Sequence, residues 1–139
     1  MRILFIATFL ACFTFAKEAN MVFLEYKTQG ADVKIQVELD GNQASKEFLA
    51  QLPLELEFSD YVNKEKIAHL PKALTVKNTP DYDPQIGDLF YFSPWGNIGI
   101  FYGKQPPYNG LVYLGKLVNA KDLQSLRSIK GNFKLKITR

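Results

Sequence analysis

Three separated segments of the chain alternate apolar side chains with charged or polar ones, and this alternation constrains the fold more than any other feature of the sequence. The segments are residues 31–39, 54–58 and 133–137. Successive side chains of a strand point to opposite faces of a sheet, so a period of two predicts strands with one buried face and one wet face. The sequence therefore predicts a mainly β domain.

Shorter apolar runs between turn signals predict further strands. Residues 89–93 and 98–102 are apolar and aromatic, and Ser93-Pro94-Trp95-Gly96 between them predicts a tight hairpin. Residues 111–117 predict another strand, and residues 67–70 a less regular one. With seven or eight short strands at close spacing, the expected architecture is a closed or nearly closed β-barrel.

Two short helices interrupt this series of strands. Residues 46–52 follow Ser45, a candidate N-cap, and end at Pro53. Residues 122–128 place leucines at helical spacing and predict the second helix. We therefore expect about two short helices covering the barrel.

The N-terminus has the pattern of a secretory signal peptide at residues 1–16. A positive start is followed by 13 almost unbroken apolar residues and a small-x-small site ending at Ala16. The run falls short of the ~20 residues of a membrane-spanning helix, so we expect cleavage, no transmembrane segment afterwards, and a periplasmic or secreted protein. The alternative is a lipoprotein anchored at Cys12. Residues 17–30 are then an N-terminal extension and residues 31–139 the domain.

Charge and cysteine content exclude several classes of protein. Loss of Arg2 with the leader lowers the formal net charge of +3 by one unit, and the lysines are scattered singly, which argues against a nucleic-acid partner. The one cysteine, Cys12, lies in the leader. The mature chain therefore has no disulfide, and packing alone must stabilise it.

The sequence resembles the small bacterial cyclophilin-like domain family over residues 31–137. The resemblance is carried by Gly87-Asp88, by Ser93-Pro94-Trp95-Gly96-Asn97 and by Tyr108-Asn109-Gly110-Leu111. It implies a cyclophilin-like closed β-barrel with a helix over each open end, and it implies no assigned activity.

The residues of a prolyl isomerase are missing from this sequence. Cyclophilins carry a Phe-His-Arg run whose arginine hydrogen-bonds around the prolyl amide. Here His69 is followed by Leu70, and neither Arg127 nor Arg139 follows Phe-His. We therefore predict no catalytic residue from the resemblance.

Other catalytic and metal motifs are equally weak. His69 is the single histidine, and a lone histidine at a strand end is usually structural. Asp81 and Asp83 lack the spacing of a calcium loop and are expected to bend the chain between prolines. The prediction is no metal and no cofactor.

Aromatic residues are concentrated between positions 90 and 113, and they supply the candidate ligand-binding residues Trp95, Asn97, Tyr102 and Tyr108. Tyrosine and tryptophan combine a large apolar area with a polar atom, which suits a groove for a peptide or small molecule. The alternative is that the rings are core packing and that Asn97 bonds its own turn. We expect Phe90 and Phe92 to fill the barrel and Tyr91 to point outward.

Three functions remain open at this point. The first is an exported binding domain that holds a peptide or small apolar ligand. The second is a divergent peptidyl-prolyl isomerase, in which Arg127 or a lysine would have to reach the groove. The third is a subunit whose edge strand, residues 133–137, pairs with another protein, although its lysines argue against this. The oligomeric state is open.

Overall fold

The computed structural model describes residues 20–139. The predicted signal peptide, its cleavage site at Ala16 and the alternative lipid anchor at Cys12 lie outside the described residues. Among residues 20–139, no helix is long and apolar enough to cross a membrane.

Eight strands and two helices make up the described chain. In chain order they are β1 (Met21–Thr28), β2 (Ala31–Leu39), α1 (Gln43–Ala50), β3 (Leu54–Tyr61), β4 (Glu65–His69), β5 (Asp88–Phe92), β6 (Asn97–Phe101), β7 (Leu111–Leu117), α2 (Asp122–Ser128) and β8 (Phe133–Thr138).

The strands form one closed antiparallel barrel in the order β1, β2, β7, β5, β6, β4, β3, β8. Pairing of β1 with β8 closes the ring, so every strand has two hydrogen-bonded neighbours. Closure removes the free edges that an open sheet would expose. The predicted mainly β fold, a closed barrel with two helices, is confirmed.

The N-terminal segment holds a strand for which the sequence analysis assigned no element. β1 pairs with β2 from Met21 opposite Glu38 to Thr28 opposite Ala31. Its alternate residues Val22, Leu24 and Tyr26 are buried in the core. Part of the predicted extension, residues 17–30, is therefore a wall of the barrel.

The prediction that residues 133–137 form an edge strand is wrong. β8 lies between β1 and β3, and its outward lysines face acidic residues on those neighbours. Lys136 is level with Glu25 on one side and Glu55 on the other, and Lys134 with Glu57. Opposite charges at cross-strand positions stabilise a sheet, which explains the lysines without a free edge.

The inward and outward faces of β5 are the reverse of the prediction. Leu89 and Tyr91 belong to the core inside the barrel, whereas Phe90 and Phe92 lie on the outer face. The Tyr91 hydroxyl accepts a hydrogen bond from the Leu74 backbone N–H over 3.3 Å, which provides a partner for this buried polar atom. The two phenylalanines therefore form part of a surface outside the barrel.

Helix α1 begins earlier than predicted. Asn42, not Ser45, is the N-cap, and its Oδ1 accepts a hydrogen bond from the Ser45 backbone N–H over 2.8 Å. Helix α2 spans the predicted residues. Each helix places one fully buried side chain in the core, Phe48 from α1 and Leu126 from α2.

Candidate functional site

A groove of about 370 Å³ lies against the outer faces of β5, β6 and β4 and is walled by the loop between β6 and β7. We call it the aromatic groove. Its lining residues are Tyr61, Glu65, Phe90, Phe92, Pro94, Trp95, Asn97, Phe101, Gln105, Pro106, Tyr108 and Leu111.

A glycine on β6 lets the floor of the groove form. Gly99 lies between the two outward residues Asn97 and Phe101, and a Cβ atom there would approach Phe90 Cζ to 2.5 Å. Without that atom, the Phe90 ring lies flat over β6 and stacks on Phe101, with ring centroids 4.0 Å apart and planes at 20°. The floor is consequently a flat, apolar surface.

The rim of the groove is a chain of edge-to-face aromatic contacts. The Trp95 ring lies 5.3 Å from the rings of both Tyr61 and Phe92, and Phe92 lies 5.8 Å from Tyr108. Trp95 is nevertheless 50% exposed and Tyr108 66% exposed. Both rings therefore present apolar surface to whatever enters the groove.

The β5–β6 hairpin and the β6–β7 loop hold each other in place. The Ser93 backbone N–H donates to the Gly110 carbonyl over 2.9 Å. Gly110 has φ +94°, and a Cβ atom there would lie 2.6 Å from Pro94 Cδ, so only glycine suits both the backbone and the contact. This packing sets Trp95, on the hairpin, beside Tyr108, on the loop.

A buried carboxylate borders the groove. Glu65 is 8% exposed, and its Oε2 accepts a hydrogen bond from Gln105 Nε2 over 2.8 Å. Burial raises the pKa of Glu65, and the Gln105 bond lowers it only in part. No lysine, arginine or histidine nitrogen among the described residues lies within ion-pair distance of this carboxylate.

A buried amide also borders the groove. Asn97 is 3% exposed, and its Oδ1 has no hydrogen-bond partner among residues 20–139. A buried polar atom without a partner is unusual in a folded protein. The alternative prediction, that Asn97 bonds its own turn, is not met by Oδ1, which makes no such bond.

Three of the four candidate residues come together, and one does not. Trp95, Asn97 and Tyr108 line the groove. Tyr102 follows the end of β6, is buried, and donates from its hydroxyl to Asp60 Oδ1 over 2.7 Å. Burial, followed by the Asp60 carboxylate, raises the pKa of Tyr102 to about 12, so this hydroxyl stays protonated as a donor.

The Asp60 carboxylate in turn holds a buried cation. Lys66 is 1% exposed, and its Nζ lies 2.9 Å from Asp60 Oδ1 and 2.7 Å from the Ile129 carbonyl oxygen. Partial burial raises the pKa of Asp60, but hydrogen bonds from Lys66 and Tyr102 outweigh it and hold the pKa below its usual value. Tyr102 therefore belongs to this ion-pair cluster rather than to the groove.

Tyr61, Glu65 and Gln105 also line the groove, although none of them was predicted from the sequence. Tyr61 ends β3, three residues beyond the predicted strand, and Glu65 begins β4. No arginine or lysine is among the residues that line the groove. Within the described chain, no cluster of three potential metal ligands occurs.

Comparison with known proteins relates the chain to one family and to solved structures. The family described as the cyclophilin-like family matches residues 28–138. No curated protein matches the chain. The solution structure of the hypothetical protein AF2241 from Archaeoglobus fulgidus matches with a TM-score of 0.65 and 17% identity, over 86% of this chain and 93% of that one.

A second solved structure, of McbB in complex with tryptophan, matches with a TM-score of 0.62 and 15% identity. The match covers 85% of this chain and 44% of McbB. At these identities, the two structures establish the fold alone.

Proposed function

The chain belongs to the cyclophilin-like family, and from this premise we propose that it is an exported binding domain. Its ligand, a peptide or a small apolar molecule, is held in the aromatic groove. The family carries no activity over to this chain, because one fold serves many functions and function depends on the site.

The observation that carries this proposal is the open pair of rings at the rim. Trp95 and Tyr108 remain half or more exposed although both contact other rings. A pocket of about 370 Å³ lies in the range of ~300–1,000 Å³ that is usual for small-ligand sites. Covering these rings with an apolar ligand removes their surface from water, which favours binding.

One solved structure with the same fold supports a binding role. McbB was solved in complex with tryptophan, an aromatic small molecule. The match covers 44% of McbB, so the support is limited to that protein binding a small aromatic molecule, and the ligand of this chain does not follow from it.

A divergent prolyl isomerase is the second candidate, and the apolar floor of Phe90 and Phe101 favours it. A twisted prolyl amide is less polar than a planar one, so an apolar groove lowers the rotation barrier of ~18–20 kcal/mol to some extent. An isomerase also needs a donor aimed at the prolyl nitrogen. The groove lining holds no arginine or lysine, so binding ranks first.

Export is part of the proposal and rests on the sequence of residues 1–16. The positive start, the apolar run and the site at Ala16 support cleavage and release into the periplasm or the medium. Expression in a bacterium with mass spectrometry of the fractions tests this. We expect a chain that begins at Lys17. A lipid-modified Cys12 would indicate the anchored form, and an intact Met1 in the cytoplasm would contradict export.

One peptide tests binding and isomerisation together. The blocked tetrapeptide Ala-Phe-Pro-Phe offers apolar side chains and a prolyl bond. Calorimetry measures its affinity, and exchange NMR measures its cis–trans rate in the presence of the protein. The variants are Trp95→Ala and, as a control of matched exposure outside the groove, Val118→Ala.

We expect the peptide to bind, Trp95→Ala to weaken its affinity about tenfold as for a truncated aromatic hot spot, and Val118→Ala to leave it unchanged. An unchanged cis–trans rate is expected. A rate increase that Trp95→Ala abolishes would make the protein an isomerase. Equal affinity in all three proteins would contradict a ligand site in the groove.

A further inference from the structure

We propose that the ligand is a small organic amine, whose protonated nitrogen binds the Glu65 carboxylate while its apolar body lies against the rings of the groove. This inference rests on the proposed function, because it names the chemistry of the molecule that the groove holds. It assigns Glu65 as the residue that decides specificity.

Glu65 is a buried carboxylate with a single hydrogen-bond donor. A carboxylate removed from water is unfavourable unless a cation or several donors compensate it. Glu65 is nine-tenths buried, and one donor, Gln105, reaches one of its oxygens. The other oxygen, Oε1, makes no hydrogen bond or ion pair with a described residue, so the groove presents an acceptor that lacks a cation.

None of the three lysines that adjoin Glu65 or Gln105 in sequence lines the groove. Lys66, next to Glu65, turns into the barrel, where it pairs with Asp60. Lys104, next to Gln105, pairs with Asp83 Oδ1 at 3.0 Å and donates to the Pro84 carbonyl. Lys64, on the other side of Glu65, is exposed, forms no ion pair with a described residue and is not part of the groove lining. A ligand is therefore left to supply the positive charge.

The walls of the groove are mainly aromatic rings, which suit a cation. Ring faces attract cations, and an aromatic site beside a carboxylate is the usual environment for an alkylammonium group. Trp95 and Tyr108 expose ring surface at the rim, and the Asn97 amide offers a polar group beside them. Rotation about χ2 exchanges its oxygen and nitrogen, so the amide can accept an N–H from the ligand.

The volume of the groove limits the size of the ligand. The groove volume of about 370 Å³ is near the lower end of the range for small-ligand pockets. A groove of this volume suits an amine that carries a single ring or a short alkyl chain. This favours a free small amine over a folded basic partner.

Three probes that share a phenethyl body test the charge requirement. Phenethylamine is a cation, 2-phenylethanol is neutral and 3-phenylpropionate is an anion at neutral pH. Trp95 is the only tryptophan of the chain, so its fluorescence reports binding at the rim. We expect phenethylamine to bind at least tenfold more tightly than 2-phenylethanol, a difference of about 1.4 kcal/mol, and 3-phenylpropionate to bind most weakly.

Substitution of the carboxylate tests the assigned residue. Glu65→Gln keeps the shape and an acceptor for Gln105, and we expect it to reduce the preference for phenethylamine over 2-phenylethanol to about threefold or less. Glu57→Gln, an exposed carboxylate on β3 outside the groove, is the control and should leave the preference unchanged. Heteronuclear NMR spectra of each variant check that it is folded.

The outcomes separate this inference from the proposed function. Equal affinity of the unmodified protein for phenethylamine and 2-phenylethanol would overturn the proposal that the ligand is an amine. The groove would still be a binding site. Tighter binding of the blocked lysine residue N-acetyl-lysine methylamide than of phenethylamine would replace the small amine by a basic peptide. No change in Trp95 fluorescence with any probe or with the blocked tetrapeptide would overturn both proposals.

Discussion

Gln105 donates a hydrogen bond from its Nε2 to the Oε2 atom of Glu65 over 2.8 Å. The donor lies in the loop between β6 and β7 and the acceptor on β4, so this bond joins two sides of the aromatic groove. It also satisfies a carboxylate oxygen in a nearly buried side chain. The position of the loop and the pKa of Glu65 are therefore coupled.

Removal of this donor should loosen the loop. We expect Gln105→Ala to lower the free energy of unfolding by about 1–2 kcal/mol, because a hydrogen bond to a charged group is lost and the carboxylate oxygen is left unpaired. Urea denaturation measures the loss. Gln124→Ala, an exposed glutamine on α2, is the control. A loss no larger than that of the control would show that the bond does not hold the loop.

The pH dependence of stability should reveal the raised pKa of Glu65. A carboxyl group whose pKa is higher in the folded than in the unfolded chain binds more protons when folded, so its contribution to stability rises as the pH falls. The window runs from the raised folded pKa of Glu65 down to its ordinary value of 4.5. Glu65→Gln removes this dependence.

We therefore expect Glu65→Gln to be more stable than the unmodified protein at neutral pH. The difference should shrink as the pH falls through this window. Urea denaturation of both proteins at a series of pH values measures it. A difference that grows towards acid would mean that the folded pKa is lowered, contrary to this account.

The buried ion pair between Lys66 and Asp60 should respond differently at its two ends. Asp60→Ala leaves a nearly fully buried ammonium without its carboxylate, and we expect a loss of about 3–5 kcal/mol. Lys66→Met leaves a carboxylate that is 37% exposed and that water can reach, so we expect a smaller loss. Thermal and urea unfolding measure the two losses of stability. A larger loss for Lys66→Met than for Asp60→Ala would contradict the deeper burial of Lys66.

Gly99 should be intolerant of a side chain. We expect Gly99→Ala to destabilise the protein by about 1–3 kcal/mol, because the new Cβ overlaps Phe90 at 2.5 Å and Ile67 Cγ2 at 2.9 Å. The displaced Phe90 ring should also weaken ligand binding. A double variant with Phe90→Leu gives the methyl group room and should recover part of the stability. Strictly additive losses in the double variant would argue against this contact.

Much of the barrel follows from local sequence, because alternation and turn residues act over a few positions. The hairpin around Pro94 and Gly96, the strand at residues 31–39 and helix α2 all lie where the sequence placed them. β1 also alternates, with Val22, Leu24 and Tyr26 inward. It was nevertheless predicted to be part of an N-terminal extension, residues 17–30, outside the domain.

The orientation of β5 does not follow from alternation, because Leu89, Phe90, Tyr91 and Phe92 are all apolar. A period of two then fixes which residues share a face but not which face is inside. The partner strands decide, and they place Tyr91 in the core. The outward lysines of β8 likewise suggested an edge strand, because the glutamates that face them belong to β1 and β3, which are distant in sequence.

The groove itself is a product of long-range pairing. Glu65 and Gln105 are 40 residues apart, and Tyr61 meets Trp95 only because β3, β4 and β6 are adjacent in the barrel. The aromatic concentration indicated the rim, and Trp95, Asn97 and Tyr108 lie there. Nothing in the local sequence distinguishes Glu65 from the other glutamates.

Chemical-shift mapping of the isotope-labelled protein tests the central claim most directly. With phenethylamine, and separately with the blocked tetrapeptide, we predict that the largest amide shifts lie in β5, β6 and residues 103–110, together with the Trp95 indole N–H. Saturating shifts confined to another surface, such as the cleft beside Tyr26 and Phe133, or no shifts with either probe, would contradict the assignment of the aromatic groove as the ligand site.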